Sequence, residues 1–109
     1  MSLSDADIAF AKELFSEIPD LMSRRMFGGL ALYSDGQIFA LLRSDAQILL
    51  KANDGPFAER LAGMGAEKWT YTRKNAAVSS MPYHSLPDAA LDDPAFACEL
   101  ARDALAALR

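Results

Sequence analysis

The sequence holds one cysteine, one histidine and no apolar run approaching the ~20 residues a membrane-spanning helix needs. With Cys98 alone, no intrachain disulfide can form, and a reducing compartment fits. One His and one Cys cannot supply the three or four nitrogen and sulfur ligands that zinc takes. The amino-terminal segment is acidic and has no apolar signal core, so a cytoplasmic protein is expected. Glycines number six, yet neither the dinucleotide nor the P-loop spacing occurs. Paired carboxylates suited to acid–base chemistry are not evident, and Asp92-Asp93 before Pro94 reads as helix capping. A nucleophilic Cys98 would need His84 beside it. Cys98 falls next to the apolar stripe of the last helix, where a buried, inert thiol is expected. His84 reads as a surface or loop-bonded residue. No cofactor, metal or catalytic residue is assigned, and a non-enzymatic role follows.

What is present is a mildly acidic, half-apolar chain of 109 residues, enough for a single domain over 1–109 with one core. The net charge of −4 is unevenly spread. Residues 1–23 carry one base and five acids (−4), residues 24–74 eight bases and five acids (+3), and residues 75–109 two bases and five acids (−3). The middle segment is thus basic between acidic flanks.

Periodicity divides the chain into alternating elements. Ser4 caps a first helix expected over residues 5–18, with Ile8, Ala11, Phe15 and Ile18 at helical spacing, widened by Phe10 and Leu14. Residues 24–52 read as a three-stranded meander. Its first strand is interrupted at Gly28-Gly29, where a bulge is expected, and Asp35-Gly36 makes a hairpin turn. A short helix follows from Asn53 or Asp54 and Pro56. Lys68 to Arg73 alternates as a fourth strand, with Lys74-Asn75 as the turn. Residues 76–81 make a fifth strand, ended by Pro82. After a short helical turn at Leu86-Pro87-Asp88, Asp93-Pro94 opens the last helix, with Ala97, Leu100, Ala101, Ala104, Leu105 and Leu108 as its buried stripe.

Several short motifs occur in a fixed order: Arg25-Met26-Phe27-Gly28-Gly29, Leu32-Tyr33, Asp35-Gly36, Phe39-Ala40-Leu41, Leu50-Lys51-Ala52, Trp69-Thr70-Tyr71-Thr72-Arg73-Lys74, Met81-Pro82-Tyr83 and Leu86-Pro87 through Leu91-Asp92-Asp93-Pro94. Their order and spacing resemble the N-terminal domain of the TfoX/Sxy family, as a stand-alone unit lacking the second, helical domain. Where family members usually read Met-Ser-Tyr-Tyr, this chain has Met81-Pro82-Tyr83-His84. The resemblance implies an α+β two-layer sandwich, similar to type III secretion chaperones. The expected architecture is a five-stranded antiparallel sheet with helices in the order α-βββ-α-ββ-α. It also implies regulation of natural competence genes together with the cyclic-AMP receptor protein, and it brings no catalytic residue or cofactor.

Two functional readings remain. The first is a regulatory interaction domain whose basic residues Arg24, Arg25, Arg73 and Lys74 dock a protein partner such as a transcription factor. These four make one patch if the fold brings their strands together. The low pI of 4.8 and the lack of a recognition-helix pattern argue against direct nucleic-acid reading. An open strand edge would also allow a homodimer. In this reading Trp69 belongs to the core beneath the helices. The second reading is a small-ligand sensor with a pocket between sheet and helices near Phe27, Tyr71 and Tyr83.

Overall fold

Ser4 begins the first helix as the sequence requires. Its hydroxyl accepts from the Asp7 amide at 3.1 Å while its own amide donates to the Asp7 carboxylate at 3.4 Å, a complete capping box. The computed structural model describes residues 3–26, 28–72 and 78–108. Helix α1 spans Asp5–Leu14 and stops short of the expected residue 18. Beyond it the chain tightens into three-residue turns, with the Ser16 amide on the Glu13 carbonyl and the Ile18 amide on the Phe15 carbonyl. Ala11, Leu14, Phe15 and Ile18 are buried, but Phe10 stays 47% exposed and leaves the expected stripe.

Six strands follow among the described residues, not five: β1 (Leu21–Met26), β2 (Gly29–Ser34), β3 (Gln37–Leu42), β4 (Ile48–Lys51), β5 (Lys68–Thr72) and β6 (Val78–Ser85). They form one antiparallel sheet in the order β1-β2-β3-β4-β6-β5. Helix α2 (Pro56–Gly63) connects β4 to β5, and α3 (Asp88–Leu91) and α4 (Pro94–Ala107) follow β6. The element order is therefore α-ββββ-α-ββ-αα, in the expected α+β class.

The extra strand arises at the glycine pair. Met26 pairs with Gly29, so the chain reverses between β1 and β2 here: Gly28 lies between the strands and Gly29 opens β2, and the glycine pair marks a strand boundary, not a bulge. Gly28 has φ +78°, a conformation that disfavours a side chain. The expected bulge sits elsewhere. Leu32 pairs with Ala40 and Tyr33 with Ile38, so Phe39 is the unpaired extra residue of β3. That insertion lets two consecutive residues, Phe39 and Ala40, both join the core.

Pro82 does not end a strand. It lies inside β6, where the register against β5 shifts between Lys68 and Thr70 and a missing N–H breaks no regular ladder. Its carbonyl still accepts from the Ala52 amide at 2.8 Å, holding β6 against the end of β4.

The helices cover one sheet face. Helix α4 packs on β3 and β4, α1 packs on α4, and α2 touches α4 and β6. Asp93 caps α4 by accepting from the Phe96 amide at 3.1 Å, with Pro94 in the first turn. Ala97, Leu100, Ala101, Ala104 and Leu105 are buried as expected, while Leu108 is half-buried. Ala97, Leu100, Ala101 and Leu105 share one core with Leu30, Leu32, Phe39, Ala40, Leu42, Ile48 and Leu50 of the sheet. Cys98 is buried in this layer, and its thiol lies 3.4 Å from the Leu14 carbonyl, tying α4 to α1. Among the described residues no helix is long and apolar enough to cross a membrane.

Candidate functional site

Strand alternation determines which side chains share a surface. On β1, Met22, Arg24 and Met26 take one face and Leu21, Ser23 and Arg25 the other. Arg24 and Arg25, both exposed, therefore point to opposite faces of the same strand. β1 is an edge of the sheet and β5 is the opposite edge, so the strand bearing these arginines is not a neighbour of the one that leads to Arg73 and Lys74. Arg73, Lys74 and Phe27 lie outside the described residues, as does the side chain of Tyr71. What the structure places is an arginine pair on the open β1 edge. Met22, 66% exposed, lies on the same strand.

The sheet face away from the helices carries a groove of about 470 Å3. Its walls include Met26 of β1, Leu41 of β3, Trp69 of β5, and Met81 and Tyr83 of β6. In a flat sheet β1 and β5, five strand spacings apart, would be separated by about 24 Å. Both line one groove, so the sheet curls and the groove occupies its concave side. The curl also hides apolar residues that no helix covers: Ala31, Leu49 and Tyr83 are 0%, 1% and 7% exposed yet stand outside the helix-side cluster.

Trp69 is thus not under the helices. It is half-buried on the concave face, edge-on to Tyr83 with ring centroids 6.4 Å apart. The Arg43 guanidinium stands 5.6 Å from its ring centroid, a cation–π arrangement. Arg43 donates to the Asp45 carboxylate through both Nε, at 3.1 Å, and Nη2. Asp45 also accepts from the Gln47 amide at 3.2 Å, which shapes the turn between β3 and β4. Hydrogen bonding to Asp45 raises the Arg43 pKa against the opposing effect of burial, and the bond from Arg43 chiefly lowers that of Asp45. Both groups stay charged and neutralise each other at the groove rim. Burial, with a smaller contribution from Tyr33, pushes the Tyr83 phenol above its ordinary value.

Tyr83 therefore faces the concave groove, whereas the sequence suggests a pocket between sheet and helices. The space on the helix side is taken by the core. Leu41, Ser44, Asp45 and Met81, to which the sequence assigns no functional role, make up much of the groove, together with Arg43. Their alternation with core residues is visible in sequence. That the second face is also apolar and enclosed is not, because enclosure comes from sheet curl.

His84 alternates to the helix side of β6. It is 5% exposed rather than on the surface, and its Nδ1 is buried without a hydrogen-bond partner among the described residues. Burial first, then nearby Lys68, lowers its pKa below the ordinary value near 6.5, and Asp54 opposes this. The unfolded chain then binds more protons than the folded one as pH falls below 6.5. Stability is expected to be full above that pH and to decline on acidification towards the depressed folded-state value. Urea denaturation of wild type and His84→Gln between pH 5 and 8 checks this; the variant should lose the slope in that window.

Among the described residues no group of three or more His, Cys, Asp or Glu is placed to hold a metal ion. No curated protein matches the chain. A family model described as the TfoX N-terminal domain matches residues 13–108.

Proposed function

The chain belongs to the TfoX N-terminal domain family, and from that premise we propose that it is a non-enzymatic regulatory module that docks an acidic protein segment along the β1 edge. The observation that carries this reading is the open edge itself. Among the described residues β1 has a sheet neighbour on one side alone, and Arg24 and Arg25 project from it in opposite directions. A strand added to such an edge gains main-chain hydrogen bonds, and its side chains flank the edge on both faces. Arginines above and below it suit a segment bearing carboxylates at consecutive positions, which fall on opposite faces of the added strand. On the opposite edge strand the Lys68 ammonium is already paired with Asp54 at 3.1 Å. The buried Cys98 thiol, bonded to a backbone carbonyl, offers no accessible nucleophile. The process served is competence-gene regulation, with the cyclic-AMP receptor protein as the partner to try first.

Affinity measurements of the full chain with that protein test the reading. Arg24→Glu and Arg25→Glu should each weaken binding several-fold. The double variant should weaken it at least ten-fold, and rising salt should weaken the wild type. Sensitivity to one arginine alone would indicate docking on a sheet face and overturn edge docking. Absence of wild-type binding would overturn the choice of partner.

A further inference from the structure

We propose that the concave groove is a binding site for a small, uncharged, largely planar apolar molecule. Four observations bear on it. The first is size: about 470 Å3 falls within the ~300–1,000 Å3 typical of small-molecule sites. The second is the wall chemistry. Met26 and Met81 supply polarizable thioethers, Leu41 an aliphatic wall, and Trp69 and Tyr83 aromatic surfaces set edge to face. Thioethers and ring edges favour a flat conjugated guest. The third is charge. Among the described residues the full charges lining the groove, Arg43 and Asp45, are bonded to each other, so a charged ligand would have to break that pair or remain uncompensated. The fourth is the position of Arg43, whose guanidinium is fixed over Trp69 and so closes one end of the ring wall. A protein partner fits less well, because a stable interface buries roughly 800 Å2 per side.

Trp69 is the chain's single tryptophan, so its emission reports the groove directly. The probe is N-phenyl-1-naphthylamine, a neutral aromatic fluorophore, titrated into the folded chain with excitation of Trp69. The expected result is saturable one-to-one binding in the micromolar range, with Trp69 emission falling as probe emission rises. Met81→Glu, which places a charge in the groove, should weaken binding at least ten-fold. Leu41→Phe, which narrows it without adding charge, should weaken it as well and guards against misfolding of the first variant. Met22→Ala, on the same sheet face but outside the lining, should leave affinity unchanged. The anionic analogue 8-anilinonaphthalene-1-sulfonate should bind no more tightly than the neutral probe.

Non-saturating binding, or equal affinity in the folded Met81→Glu and Leu41→Phe variants, would overturn the proposal. Clearly tighter binding of the sulfonate would show an anion site instead. Trp69 emission that changes on dilution without any probe would assign the groove to a second copy of the chain and equally overturn it. None of these readouts involves the β1 arginines, so this site and the edge docking stand or fall separately.

Discussion

Replacing Phe39 with alanine is expected to destabilise the fold by about 3–5 kcal/mol, the range for truncating a buried phenylalanine. The side chain is fully buried and occupies the bulge of β3, the point where the sheet turns an additional residue towards the helices. There it meets Phe15, just beyond α1, with ring centroids 5.5 Å apart and planes at 87°. The pair is a principal contact between the amino-terminal segment and the sheet. Truncation removes apolar burial and leaves a cavity that neighbours on two layers must collapse to fill. Since whole-domain stability is about 5–15 kcal/mol, such a loss leaves little margin at 25 °C. Urea denaturation measures it, and Phe15→Ala with the double variant completes a cycle. The coupling should be about 0.5–1.5 kcal/mol, the increment typical of edge-to-face pairs. A loss below about 1 kcal/mol for Phe39→Ala would mean the bulge repacks freely, contrary to the dense packing expected of such a core.

Gly29→Ala should produce the second large loss, although it adds a single methyl group. A Cβ at this position would lie 2.3 Å from the Leu42 carbonyl oxygen and 3.3 Å from its carbon. Both atoms belong to the backbone of the neighbouring strand, so relief requires moving β2 against β3 rather than turning a side chain. The expected cost is about 1–3 kcal/mol, as for overpacked sites, and the upper end is favoured by the closeness of the approach. Gly63→Ala at the end of α2 is the contrast. Beyond the helix's own neighbouring backbone, no described atom lies within 4 Å of where its methyl group would stand, and alanine there should stabilise by up to about 1 kcal/mol through helix propensity. Opposite signs for the two glycines, read by the same denaturation curves, would separate close approach from backbone entropy.

The sequence is most readable where local chemistry decides. Ser4 with Asp7, and Asp93 with Pro94, mark helix starts because caps act within four residues. Asp35-Gly36 marks its hairpin because both residues adopt positive φ, 49° and 80°. Gly28-Gly29 misleads because a glycine pair fits a bulge and a hairpin equally well. The strand before it, an edge bearing Ser23, Arg24 and Arg25, lacks the apolar alternation that announces a half-buried strand. Pro82 suggests an ending because its tolerance inside β6 depends on a register shift against a partner strand. Trp69 reads to the wrong face because alternation groups residues without saying which group the helices cover. The placement of β6 between β4 and β5 is a long-range pairing, and no local pattern carries it. The groove, assembled from strands at both edges of the sheet, is therefore the least legible feature.

The layer that covers the sheet is contributed largely by α4, which is made after all six of the described strands. Residues 21–51, which hold four strands, emerge during synthesis well before Pro94–Ala107 exists. In that interval Leu30, Leu32, Ala40, Leu42 and Leu50 have no α4 to pack against, and α1 lacks the partner that its Leu14 carbonyl meets at Cys98. At elongation rates of roughly 5–20 residues per second the nascent meander remains uncovered for seconds. The growing polypeptide thus passes through a stage in which its stickiest surface faces solvent or a chaperone, and the arrival of α4 ends its exposure.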